Sequence, residues 1–129
     1  FGLLGHLGEM LGGSGTSTPA LQIQLDANRI PALPGALELL AAGHGSSLAP
    51  ANRRAWALLD PQAAQQPAPV CLHPGKHKAG SKNHWALLEL LIDPQTCGPL
   101  LISVTPAIAN LLLNEHLERW WSIGSARSA

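Results

Sequence analysis

Apolar residues return at helical spacing in four stretches of the chain and alternate with polar ones in another. Leu3, Leu4, Leu7, Met10 and Leu11 share one face of a helix over 1–11. Leu37, Leu40 and Ala41 do the same over 36–42, and Leu87, Leu88 and Leu91 over 85–92. Ile108, Leu111, Leu112 and Leu117 give an inward face to a helix over 107–121, with Asn114, Glu115, Glu118 and Arg119 outward. Leu21, Ile23 and Leu25 alternate with Gln22, Gln24 and Asp26, the pattern of a half-buried strand over 20–25. The branched run Leu100–Val104 predicts a buried strand, and Val70–Leu72 a shorter one. There is no internal repeat and no regular βαβ rhythm. The pattern predicts an α+β layer around a small mixed sheet.

Turn chemistry punctuates these elements. Residues 12–19 are Gly, Ser, Thr and Pro and read as a loop. Pro34 suits the first turn of a helix, and Gly43 or Gly45 its end. Thr105-Pro106 reads as an N-cap followed by proline at the first helical position. Residues 46–50 and the Gln-, Ala- and Pro-rich 60–69 read as loops, and 122–129 as a polar tail. Asp93-Pro94-Gln95-Thr96-Cys97-Gly98-Pro99 is the most constrained turn. Asp93 and Thr96 can bond nearby backbone, Pro94 fixes its own φ, and Pro99 delays the next strand donor to Leu100. Gly2, Gly5 and Gly8 weaken the first helix by about 1 kcal/mol each against Ala. Small residues at such spacing admit a close neighbour.

Composition narrows the functions. The 129 residues suit one domain, and 46% hydrophobic content supports a core. Charged residues are only 12%, against about 25% in typical domains, which points to a surface partly covered by another domain or subunit. Eight basic and eight acidic residues cancel, which argues against nucleic-acid binding. No apolar run approaches the roughly 20 residues of a membrane helix. The opening Phe1 to His6 is no signal peptide, and the chain reads as a fragment of a longer one. Cys71 and Cys97 make no disulfide framework, as expected of a cytoplasmic protein. His73, His77 and His84 invite a metal reading, but Pro74 and Gly75 break the helix that would align the first two. Arg53-Arg54 suits either an anion or a solvated helix start.

Asp93 to Gly98 followed by an aliphatic run resembles the "DPQTSGG-L-L" signature of selenophosphate synthetases (selenide, water dikinases). Phe1-Gly2-Leu3-Leu4-Gly5-His6-Leu7 resembles that family's "DVTGFGLLGHL" segment entered partway. Ile30 to Leu39 resembles "IP-LPGALEL", and Gly45-Ser46-Ser47 with Asn52-Arg53 resembles "GGT–RN" in outline. The four segments occur in order from residue 1 to 104, and the divergent parts are 60–84 and the tail.

The resemblance implies an enzyme that converts selenide, ATP and water to selenophosphate, AMP and phosphate with magnesium. The fold it implies is the layered α/β/α carboxy-terminal domain shared with aminoimidazole ribonucleotide synthetase. Residues 1–121 would form that domain and 122–129 the tail. The domain would flank the nucleotide cleft, with Asn52, Arg53, Asp93, Thr96 and Gly98 as candidate cleft residues. ATP and Mg would be bound mainly by an amino-terminal domain, the partner expected here, in a parent that dimerises. No catalytic or metal residue is assigned to this chain, and the fragment alone would be inactive. Two departures stand out: Cys97 replaces the usual Ser, and Pro99 replaces the second Gly and removes a backbone donor. A sister ATP-dependent enzyme, such as thiamine-monophosphate kinase, and a non-catalytic interaction module are the alternatives.

Overall fold

A computed structural model describes residues 1–12, 21–59, 69–94, 98–116 and 118–128. Five helices and three strands occur among them: α1 (Gly2–Gly12), β1 (Leu21–Asp26), α2 (Ala36–Ala41), α3 (Ala49–Asn52), β2 (Val70–His73), α4 (Lys82–Leu90), α5 (Pro106–Glu115) and β3 (Gly124–Ser128). A 3-10 segment, Arg53–Leu59, continues α3. The sheet is mixed, in the order β2-β1-β3. β1 pairs parallel with β2, placing Ile23 opposite Val70 and Leu25 opposite Leu72. It pairs antiparallel with β3, placing Leu21 opposite Ser128 and Leu25 opposite Gly124. This is the expected α+β class with a small mixed sheet.

The core forms where α1 and the end of α4 meet the sheet. Leu4, Leu7, Leu25, Ala49, Val70, Leu91 and Ile92 are its buried members. Leu3, Ile23, Trp56, Leu58, Leu72 and Ile123 pack around them. The glycines of α1 serve close approach. Gly2 has φ +69 and lies so near Ile92 that a Cβ there would sit 2.5 Å from the Ile92 backbone. At Gly8, a Cβ would come 3.1 Å from Leu58 Cδ1. Burial against Leu58 and Ile92 offsets what the glycines take from helix propensity.

Helix ends follow the local sequence. Ser81 caps α4 by accepting from the His84 N–H at 3.1 Å. Gly43, at φ +92, follows α2 and donates to the Leu40 carbonyl at 2.9 Å. Thr105 precedes Pro106 at the start of α5 but makes no side-chain cap bond.

Three expectations fail. Leu100–Val104 is not a strand: its residues have no ladder partner, and Leu100 is 75% exposed. β1 already has a neighbour on each side, which leaves no place beside the central strand for this run. α5 ends at Glu115 rather than at 121, and it buries no residue; Ile108 and Leu111, read as inward, are exposed. With no face to bury, extra turns gain little. The segment read as a polar tail carries β3, which closes the sheet on β1.

Candidate functional site

The end of α4 is the best-tied point in the molecule. A helix leaves its last carbonyls without intrahelical partners. Here three other segments supply donors. Trp56 Nε1 donates to the Leu88 carbonyl at 3.1 Å. The Leu4 N–H donates to the Leu91 carbonyl at 2.9 Å. Asn52 Nδ2 donates to the Ile92 carbonyl at 3.0 Å. The constrained turn begins at the next residue, Asp93, which is half-buried.

One charge pair reinforces this junction. Glu89 is 2% exposed, and its carboxylate receives Arg53 Nε at 2.8 Å and Nη2 at 3.2 Å. The guanidinium also lies 5.6 Å from the Trp56 ring and 5.9 Å from the Trp85 ring. A planar fork on a carboxylate with aromatic faces nearby suits Arg and would not suit Lys. The hydrogen bond to Glu89 raises the Arg53 pKa, with burial opposing and the Coulomb attraction of Glu89 adding to the rise.

Two open clefts flank α1. One, of about 360 Å³, is lined by Phe1, Gly5, Gly8, Glu9, Asn52, Arg54, Ala55 and Leu58. The other, of about 480 Å³, lies against His6, Glu9, Met10 and Pro99 to Leu101. His6 Nδ1 stands 3.2 Å from Glu9 Oε2 between them.

The five candidate residues are thus placed unevenly. Asn52 lines the first cleft and ties down Ile92, one residue before Asp93. Arg53 is turned onto Glu89. Gly98 is exposed, and Thr96 lies outside the described residues, as do Gln95 and Cys97. Sequence reasoning missed Glu89 and Trp56. Glu89 carried a readable signal: a carboxylate inside Leu87-Leu88-Glu89-Leu90-Leu91 needs a cationic partner if it is buried.

Among the described residues no three His, Cys, Asp or Glu side chains stand together as a ligand set for a metal ion. His77 is buried with its Nδ1 unpartnered among the described residues, but it joins no ligand cluster. The first cleft is open and has both Arg54 and Glu9 in its lining, which fits part of an anion site and not a complete nucleotide cradle. No described helix is long and apolar enough to cross a membrane.

No family model matches the chain, and no solved structure matches it at the stringency applied to the relatives. Curated relatives do match. The selenide, water dikinase of Enterobacter sp. (strain 638) is 34% identical over 106 residues, 82% of this chain and 23% of that protein. The enzyme of the same name from Escherichia coli (strain K12) is 33% identical over 110 residues, 85% of this chain and 24% of that protein. The Shigella boydii serotype 4 (strain Sb227) protein of that name gives the same figures. The chain spans about a quarter of the length of these relatives. It is a fragment-like homologue of the selenide, water dikinases.

Proposed function

We propose that this chain is the carboxy-terminal-domain part of an ATP-dependent selenophosphate synthetase. The reaction is selenide, ATP and water to selenophosphate, AMP and phosphate. The observation that carries this reading is the 33–34% identity to selenide, water dikinases over more than four-fifths of the chain. The arrangement around α4 supports it. Three of the four segments that resemble the family meet there: Gly2 and Leu4 of α1, Asn52 and Arg53, and the exit toward Asp93. In this reading the chain supplies one wall of the nucleotide cleft in a cytoplasmic enzyme. Another domain brings magnesium and most of the ATP contacts, so no catalytic step runs through residues described here.

The test is a chimera. The 129 residues replace their homologous quarter of the Escherichia coli K12 enzyme, and selenide-dependent AMP formation is measured. Selenide-dependent AMP is the expected result. A folded chimera that releases no AMP in response to selenide would sink the proposal.

A second reading, a non-catalytic interaction module, is favoured by one observation: Leu100, Ile102, Val104, Ile108, Leu111 and Trp121 are all exposed. It predicts that selenation in cells survives Pro99→Gly but not Trp121→Ala.

A further inference from the structure

We infer that the adjacent arginines divide two tasks: Arg53 is a positioning residue that latches the cleft wall to α4, and Arg54 is the contact for a phosphate-bearing ligand in the α1 cleft. The geometry of the 3-10 segment forces the division. With three residues per turn, neighbours diverge by about 120°, while residues three apart eclipse. Arg53 and Trp56 therefore stand together, and both reach α4. Arg54 must then point elsewhere, and it lines the cleft with Phe1, Gly8, Asn52 and Ala55.

The chemistry of the two guanidiniums differs accordingly. Arg53 already spends its Nε and Nη2 fork on the Glu89 carboxylate, and a phosphate taking that fork would leave a carboxylate 2% exposed without its partner. Arg54 is exposed and has no ion-pair partner among the described residues. Its fork matches two phosphate oxygens. Glu9 is the one carboxylate of this lining and opposes an anion, and it stands 3.2 Å from His6 Nδ1. Sequence alone favoured Arg53 for the cleft; the fold transfers that role to its neighbour. The ligand class rests on the proposed function, whereas the division between the arginines rests on geometry.

Inorganic triphosphate is the probe. The N-terminally acetylated chain, whose Phe1 then carries no ammonium charge, is titrated and followed by NMR at the Gly5 and Gly8 amides and the Arg54 Nε–H. Shifts at all three are expected. Arg54→Gln should weaken the interaction about tenfold, the scale of one charge-assisted hydrogen bond. Glu9→Gln should tighten it about twofold by removing a like charge. Glu89→Gln, which keeps a hydrogen-bonding partner for Arg53, should leave it unchanged. A titration midpoint unmoved by Arg54→Gln, shifts that vanish with Glu89→Gln in a folded chain, or shifts that never appear overturn the inference. An inactive chimera with an Arg54-dependent titration would overturn the proposed function alone.

Discussion

At the residue scale the Arg53–Glu89 pair sets an asymmetry. The Arg53 side chain is 40% exposed and that of Glu89 2%. Removing Glu89 leaves a cation that water can reach. Removing Arg53 leaves a carboxylate that water cannot reach, the costlier outcome. Arg53→Ala should therefore lower Tm clearly more than Glu89→Ala, as read by circular dichroism. Equal losses would mean that the pair acts only as packing. The raised pKa of Arg53 keeps the stabilisation it contributes in place below its unfolded pKa. That contribution would fade only as pH rises through the folded value, so a Tm profile from pH 7 to 9 should show no loss traceable to Arg53. The partnership was half legible in the sequence. Both charges were visible, but 36 residues separate them, and only the packing of the 3-10 segment on α4 shows that they meet.

At the element scale, α4 ends well because other elements finish it. Trp56→Phe keeps the ring and deletes the donor to the Leu88 carbonyl, and should cost about 1 kcal/mol in urea unfolding. Gly2→Ala is harsher, since it combines a positive φ with a Cβ against the Ile92 backbone. It should cost at least about 2 kcal/mol, while Gly12→Ala, with open space around it, should be neutral within about 0.5 kcal/mol. The reverse order in urea midpoints would contradict the docking of α1 on α4. Periodicity located α1, β1, α2 and α4 because each carries its own stripe or alternation. β3 was invisible for the opposite reason. Gly-Ser-Ala-Arg-Ser has no β-branched or aromatic residue, and the strand exists because β1 offers a free edge. Gly124 lets it approach: a Cβ there would collide with the Gln24 carbonyl. Arg127 then donates to the Gln22 side chain at 3.1 Å.

At the scale of the whole molecule, the two halves of the chain behave differently. Residues 2–92 supply every buried member of the core, whereas in 98–115 only Leu101 packs against it and Leu100, Ile102, Val104, Ile108 and Leu111 are exposed. The Leu100–Val104 run was read as a strand from its composition, and composition cannot say whether a sheet edge is available to receive it. Leu100, Ile102 and Val104 of this run are exposed, as are Ile108 and Leu111 on α5, and apolar residues gathered on a surface favour association. Because α5 buries no residue, polar substitutions there remove little packing. The triple variant Leu100→Ser, Ile108→Ser, Leu111→Ser should keep the wild-type Tm within about 6 °C, since surface changes seldom exceed about 0.5 kcal/mol each. It should also bind less of an apolar dye and sediment as a smaller species at high concentration. A large fall in Tm would mean instead that these side chains pack within the fold, and that Leu100–Val104 occupies the buried position its composition first suggested.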